Sequence, residues 1–194
     1  MNDYPEYVEV EGKQYKINTD FRYAIECNRI ATDDTIGDYE RVLGILCTLF
    51  GTEAIDNPNH YEKLLKLALK YLSCGKELDA ENNEKPDMDY IQDMDYIEAS
   101  FMSDFHIDLA NEHMHWYKFV KLMNGLSNSE MGNCCILNRV RNLRNFDLSE
   151  IKDTKERNKI RKAQEQVALK KKPKKVATKE QIESAERFYK ALGL

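Results

Sequence analysis

The sequence predicts a mainly α-helical fold, a single domain of about six to seven helices with a small N-terminal β-hairpin. Apolar residues recur every three to four positions through most of the 194-residue chain, which is the spacing of one face of a helix. Gly51, Gly75 and Gly125 stand where such periodic stretches stop, as expected at helix ends. No internal repeat, heptad run or glycine-rich phosphate loop interrupts this pattern.

Alternation of apolar and polar residues around a glycine predicts the N-terminal hairpin. Residues 8–10 and 15–17 have the strand pattern, and residues 11–14 contain the turn. A two-stranded hairpin by itself is marginally stable in water. We therefore expect it to pack on the helices or to pair with the edge of a second copy.

Three helices are predicted after the hairpin in the first half of the chain. The first ends at residue 30, with Asn18 or Thr19 as its N-cap. The second covers residues 38–50 and is apolar over more than one face. The third begins with a capping asparagine and a first-turn proline within residues 57–75.

An acidic loop at 76–93 separates these helices from residues 95–127, which contain the only tryptophan and three of the four histidines. This segment predicts two helices joined by an elbow at 107–109. The second of them, starting at Asn111, is apolar over more than half its circumference, so it is buried in a core or held against a partner. A capping box at 127–130 predicts a further helix.

The C-terminal part divides by composition. A long charged helix is predicted over residues 147–169, which completes an acidic helical domain spanning 1–169. A basic linker follows at 170–177, where proline breaks the helix and like charges repel. The last segment, 178–194, has the apolar spacing of an amphipathic helix.

Charge is distributed unevenly along the chain. Residues 1–150 hold 15 basic and 28 acidic side chains, whereas residues 151–194 hold 14 basic and 6 acidic ones. Such asymmetry marks an interaction segment or a self-docking tail. The lysine-rich run at 170–175 is the best nucleic-acid signal, but it lacks the aromatic residues used for base stacking. Because the acidic body repels phosphates as well, nucleic-acid binding is not expected.

Composition also bears on compartment. Five cysteines are an odd number without paired spacing, as expected of reduced thiols in a cytoplasm. The polar and acidic start is unlike a signal peptide. No apolar run approaches the roughly 20 residues of a membrane span.

The candidate chemistry is sparse. His113 and His115 are two residues apart, and on a helix they point about 200° from each other, so they cannot share one metal ion. A distant trio with Asp104 and His106 remains an alternative. Adjacent cysteines at 134 and 135 do not have the spacing of a zinc corner. We therefore expect no metal, no cofactor and no catalytic residues, and an enzyme would need two of these side chains together in a dry cleft.

Four stretches of the chain have a specific residue pattern. Residues 95–109 read D-Y-I-x-A-x-F-x-x-D-x-x-I-D-L, and residues 115–126 read H-W-Y-K-F-x-x-L-x-x-G-L. The opening V-x-V-x-G-x-x-Y-x-I-x-T-D-F-R at 8–22 and the K-E-R run at 155–157 also fit. Together these stretches resemble a family of short bacteriophage tail proteins, which are usually named only by a gene-product number. The likeness touches most of residues 8–169 and contains no catalytic motif.

This resemblance implies a non-catalytic tail assembly chaperone. Such a protein acts in the cytoplasm of the infected cell, is absent from the finished particle, and covers the apolar stripe of the tape-measure protein until the major tail tube protein displaces it. We expect partner contacts, including self-association, from nine residues. They are Phe101, Trp116, Tyr117, Phe119, Val120, Ile182, Phe188, Tyr189 and Leu192.

Two alternatives remain open from sequence. The protein is a chaperone only if apolar helical surface is left over once one subunit has folded, and a compact bundle that buries all of it is the opposing interpretation. A structural completion or connector subunit retained in the particle is the second candidate function.

Overall fold

A computed structural model describes residues 4–76, 86–128 and 134–170. Within these ranges the chain forms one two-stranded antiparallel sheet and seven α-helices, which confirms the predicted fold class. The elements are β1 Tyr7–Val10, β2 Lys13–Lys16, α1 Phe21–Ala31, α2 Asp38–Phe50, α3 Tyr61–Leu72, α4 Met94–Phe105, α5 Trp116–Asn124, α6 Ile136–Asn145 and α7 Thr154–Val167. No helix in the described ranges has the length and apolar composition of a membrane span.

The described residues belong to two compact units. The first unit contains residues 4–76 and 114–120, and the second contains residues 86–113, 121–128 and 134–170. Half of the predicted acidic loop, most of the predicted basic linker and the whole predicted C-terminal helix lie outside the described residues.

The hairpin has a tighter turn than the predicted stretch at 11–14. Glu11 and Gly12 alone connect the strands, and both have positive φ, 51° and 81°. Two positive φ values are typical of the two-residue turn whose twist matches that of the flanking strands. Residues Val10, Tyr15 and Ile17 are buried, so one face of the hairpin belongs to the core of the first unit.

Helix α1 is capped differently from the prediction. Asp20, not Asn18 or Thr19, is the N-cap, and its carboxylate accepts a hydrogen bond of 3.0 Å from the N–H of Arg22. Asn18 serves another purpose, because its backbone N–H donates to Leu49 O at 2.7 Å and its side chain donates to Thr48 O at 2.8 Å. These bonds tie the segment before α1 to the end of α2.

Helix α2 has the predicted bounds. It ends where Gly51 adopts a φ of +81°, which favours glycine. Gly44, in the middle of the helix, permits a close approach to α1. A Cβ at that position would lie 3.2 Å from Cγ2 of Ile30.

Helix α3 is shorter than predicted at both ends. Asn57 caps a separate 3-10 turn at Pro58–His60, and α3 follows from Tyr61. The helix ends at Leu72, before Gly75, whose φ is +76° and whose N–H donates to Lys70 O at 2.8 Å. The glycine is therefore part of the chain reversal after the helix and not its last residue.

The predicted helix from Asn111 is wrong at its start, because α5 begins only at Trp116. Asn111 does not cap a helix, since its side chain donates to Asp108 Oδ2 at 2.8 Å. Asp108 caps a turn, as predicted, by accepting from the N–H of Ala110 at 3.0 Å. The connection between α4 and α5 is therefore longer than the predicted elbow, and His113 and His115 are not on a helix.

Helices α6 and α7 also begin later than predicted. The N-cap of α6 is Cys135, whose Sγ accepts from the N–H of Asn138 at 3.5 Å, and residues 129–133 lie outside the described ranges. The predicted helix over 147–169 is a 3-10 turn capped by Asp147, followed by α7 capped by Asp153. Two aspartates that each cap their own element explain the division.

Candidate functional site

Two of the motif segments quoted above meet inside the first unit. Asp20 and His115 form an isolated antiparallel β-bridge. Its backbone hydrogen bonds run from Phe21 N to Met114 O at 2.9 Å and from Trp116 N to Thr19 O at 2.8 Å. The T-D-F-R and H-W-Y-K-F stretches are therefore the two sides of one contact between distant parts of the chain.

The Asp20 carboxylate is the polar centre of this contact. It accepts from the N–H groups of Arg22, at 3.0 Å, and Met114, at 3.3 Å, and the Arg22 guanidinium donates to both of its oxygens at 3.1 Å. Burial of the carboxyl opposes ionisation, but these hydrogen bonds together outweigh it, so the pKa of Asp20 is lowered. One side chain thereby caps α1 and fixes the segment that leads into α5.

His115 occupies the N-cap position of α5. Its Nδ1 accepts from the N–H of Tyr117 at 3.0 Å, and its backbone carbonyl accepts from Phe119 at 3.0 Å. Its Nε2 lies 3.2 Å from Pro5 O, so the proton of the neutral ring belongs on Nε2, where it is donated. Burial lowers the pKa of His115, against weaker opposing effects from Pro5 and Glu6. The imidazole is thus a structural cap and not a free base.

Aromatic rings surround this histidine in the first unit. Tyr4 stacks on the His115 ring at a centroid distance of 4.7 Å, and Tyr71 lies 5.2 Å from Tyr117. The Tyr71 hydroxyl is buried without a hydrogen-bond partner in the described residues, and burial raises its pKa. Because Tyr4 and Tyr117 are only half-buried, the cluster reaches the surface of the unit.

Three of the nine predicted partner-binding residues are enclosed. Phe101, in α4 of the second unit, and Phe119 have no exposed surface, and Trp116 is 2% exposed. Phe119 stacks on Phe21 at 4.6 Å, and the Trp116 indole N–H donates to Leu72 O at 3.0 Å. These three side chains are core residues in a single copy of the protein.

The other predicted partner-binding residues are placed differently. Tyr117 and Val120 are half-buried on α5. Ile182, Phe188, Tyr189 and Leu192 lie outside the described residues.

Helix α3 carries an apolar stripe that sequence reasoning did not separate from the core. Leu65, Leu69 and Leu72 follow at spacings of four and three, so they share one face. Leu69 is 40% exposed and the other two are half-buried, and we call these three residues the leucine stripe. The exposed side chains of Lys66 and Lys70 border it. The fully buried residues of α3 are adjacent in sequence to those of the stripe, as Leu64 is to Leu65. For this reason periodicity alone predicted a single broad apolar face.

Other large apolar side chains are exposed as well. In the first unit Tyr7 is 54% and Tyr23 44% exposed. In the second unit Ile91 and Met102 are each 47% exposed and Phe146 is 41% exposed. Tyr23 lies outside the apolar stripe of α1, so its exposure could be predicted from the sequence.

The second unit is organised around a buried ion pair. Arg144 of α6 donates to both carboxylate oxygens of Asp93 at 2.8 and 2.7 Å, and the exposed fractions of the two side chains are 10% and 1%. The same guanidinium donates to Asp87 O at 2.8 Å and Val167 O at 2.6 Å. The hydrogen bonds with Asp93 raise the pKa of Arg144. This arrangement joins α4, α6 and the end of α7, and each nitrogen of the guanidinium donates at least one hydrogen bond within it.

A cleft of about 520 Å³ in the second unit contains the two adjacent cysteines. It is lined by Ala99, Ser103, Asp104, Ser127, Cys134, Cys135, Ile136 and Arg139. Cys135 is buried as the cap of α6, and the Asp104 carboxylate accepts from Ser127 N at 2.8 Å. A nucleophilic cysteine requires an adjacent base, and no imidazole lines the cleft.

The histidines of the supposed metal trio have separate local roles. His106 takes the left-handed C-cap position of α4, with a φ of 57°. His115 belongs to the first unit and is engaged by Tyr117 and Pro5. In the described ranges no three or more His, Cys, Asp or Glu side chains are grouped so that they could hold a metal ion.

These observations define a mainly helical protein in which Asp20, His115 and Trp116 hold distant segments of the first unit together. Comparison with family models identifies the lineage: residues 1–169 match the family described as Bacteriophage Gp15 protein, and the chain belongs to that family. The resemblance to a bacteriophage family is thereby confirmed. Neither the comparison with curated proteins nor the comparison with solved structures found a match.

Proposed function

We propose that this protein is a tail assembly chaperone that binds and solubilises the tape-measure protein during tail assembly, without catalysis. The observation that carries the proposal is the family match over residues 1–169, which makes the chain a phage protein. Assembly requires a long helical protein with an apolar stripe to be protected from aggregation. An acidic helical module with apolar surface suits that task.

The leucine stripe is the surface that we assign to the client. Residues spaced by four and three along a helix are the usual anchors by which two helices lay apolar faces together. The enclosed aromatic residues do not provide such a surface, because Phe101, Trp116 and Phe119 are already packed.

Weak individual contacts fit the proposed task. Three leucines, two of them already half-buried, add little new burial each, so one subunit binds with modest affinity. Many copies along a long client raise the total occupancy through multivalency. The major tail tube protein then displaces them one at a time, and the site of action is the cytoplasm of the infected bacterium.

Co-expression with an otherwise insoluble fragment of the tape-measure protein tests the proposal. We expect the wild-type protein to keep the fragment in the supernatant. Leu69→Gln removes the most exposed leucine of the stripe and should weaken client binding by about tenfold, since one buried leucine contributes on that order. Lys70→Gln, at the neighbouring exposed position of α3, is the matched control and should retain the fragment.

The results of these experiments distinguish a chaperone from a structural subunit and test whether the leucine stripe binds the client. A fragment that pellets with the wild-type protein would end the chaperone proposal. Equal retention by both variants would remove the leucine stripe from it. Stoichiometric amounts of the protein in purified particles, measured by mass spectrometry, would favour a structural completion or connector subunit.

A further inference from the structure

We propose that β1 pairs with β1 of a second copy of this chain, which produces a closed dimer with a four-stranded sheet. Such a dimer does not require the client proposed above. Its formation depends on the register of the hairpin, on the residues along its two edges, and on how firmly the hairpin is held.

The register defines which backbone groups point outward. Ile17 N donates to Glu6 O at 2.8 Å, and the paired residues alternate from there between bonded and non-bonded positions. The non-bonded pairs are Tyr7 with Lys16 and Glu9 with Gln14. Their N–H and C=O groups therefore point away from the hairpin. None of them has a hydrogen-bond partner in the described part of the chain.

The two edges differ in how they are protected. Exposed lysines at 13 and 16 lie along β2, and edge lysines are a common means of preventing strand addition. The outward positions of β1 are Tyr7, 54% exposed, and the exposed Glu9. That strand contains neither lysine nor proline, so β1 is the edge open to a partner.

A two-fold axis at Val8 gives complementary pairs between two copies. Tyr7 of each copy then lies opposite Glu9 of the other, and the outward backbone groups of both residues make four hydrogen bonds across the axis. The phenol hydroxyl of Tyr7 can donate to the facing carboxylate. No like charges are opposed, and the two valines meet on the inner face. The isologous arrangement closes after two copies.

The hairpin is already held in the extended form that pairing needs. Tyr15 OH and His60 Nδ1 are 2.7 Å apart in the core, and His60 Nε2 lies 3.4 Å from Glu11 Oε2 at the turn. Lys63 of α3 also pairs with Glu11. A fixed edge adds little ordering cost on association. A strand of four residues still makes few contacts, so the dimer forms and separates readily with concentration.

Proline substitutions test the edge directly. Glu9→Pro removes an outward N–H and the carboxylate that faces Tyr7 across the axis, and it leaves the hydrogen bonds within the hairpin intact. Gln14→Pro removes the outward N–H of the paired residue on the opposite strand, which makes it the matched control. By sedimentation equilibrium of the full chain over a range of concentrations, Glu9→Pro should raise the dimer Kd by at least about tenfold. Gln14→Pro should leave it unchanged.

A second pair of variants covers the case in which proline unfolds the hairpin, as seen by circular dichroism. Tyr7→Lys combined with Glu9→Lys places lysines opposite lysines across the axis and should abolish the dimer. Gln14→Lys, which adds a lysine near the native Lys16 on β2, should leave the dimer intact. The proposal is overturned if the wild-type protein stays monomeric at every concentration. It is also overturned if variants of β1 and of β2 change the dimer Kd equally, or if the protein assembles beyond two copies through both strands.

Discussion

The two units each bury a carboxylate beside an arginine, and the two arrangements differ in where the arginine comes from. Asp20 is paired with Arg22, which is two residues away and has a side chain 44% exposed. Asp93 is paired with Arg144, which is 51 residues away and has a side chain 10% exposed. The first arginine is a local and largely solvated partner, whereas the second is a long-range partner within the core.

This difference indicates whether the aspartate or the arginine contributes more to the stability of each unit. Asp20 also accepts from the backbone N–H groups of Arg22 and Met114, so its carboxylate stays partnered when the guanidinium is removed. The Asp93 carboxylate accepts one bond of 3.0 Å from Asp89 N besides its two from Arg144. In the first unit the aspartate is the critical member of the pair, and in the second unit it is the arginine.

The largest effect is expected for Arg144→Met. The substitution leaves a buried carboxylate without its cation and removes donors from Asp87 O and Val167 O, which should cost about 3–5 kcal/mol of the free energy of unfolding. Arg141→Met on the same helix is the control, because its pair with Asp87 is partly exposed, at 36% and 28%, and such pairs contribute about 0–1 kcal/mol. Urea denaturation followed by circular dichroism measures both. Similar losses would contradict a special role for the buried pair.

A smaller loss is expected for Asp20→Ala. The change removes the N-cap of α1 and the acceptor for Met114 N, which together should cost about 2 kcal/mol. Arg22→Ala should cost less than about 1 kcal/mol, since the arginine is largely solvated. The same denaturation experiment compares them, and an arginine variant as damaging as the aspartate variant would reverse the assignment in the first unit.

The smallest effect is a dependence on pH from His115. Its pKa is lowered in the folded state, so the unfolded chain takes up the proton more readily. The stability that results is complete above the unfolded pKa of about 6.5 and is lost as the pH falls below that value. His115→Asn keeps a capping side chain without a titrating ring and should flatten the slope of stability against pH between about 7 and 5. His106→Asn at the exposed end of α4 is the control, and equal slopes in all three proteins would refute the effect.

Local signals predicted much of this fold. The bounds of α2 follow from its apolar run and from Gly51, and both are contained within one stretch of sequence. The hairpin was predicted from alternation, and only the length of its turn differed. Asp108 was predicted to cap a turn because it lies among apolar residues at an elbow, and it does so.

The late start of α5 was not predictable from local sequence. Asn111 and Glu112 have the composition of a helix start, but the segment up to Trp116 pairs with Thr19 and Phe21 far along the chain. Those long-range hydrogen bonds draw residues 114–116 into a bridge and delay the helix. The thiol cap of α6 is a similar case, since cysteine is not among the preferred N-cap residues.

Burial was the least predictable property of the candidate site. The apolar pattern of 116–120 is compatible with a core helix and with a binding helix, and only packing against Phe21 and Leu72 decides between them. The leucine stripe was hidden for the opposite reason, since its residues continue the apolar run of the buried face. Periodicity predicts which residues share a face, but not how far the neighbouring elements cover it.

The chain has a single tryptophan, and it lies in the first unit with its indole N–H bonded to Leu72 O. Tryptophan fluorescence, excited where tyrosine does not absorb, therefore reports on that unit alone, and its emission is blue-shifted while the ring is shielded from water. Emission that shifts before ellipticity falls would reveal that the region around Trp116 loosens ahead of the remaining helices. No label or added fluorophore is needed to observe it.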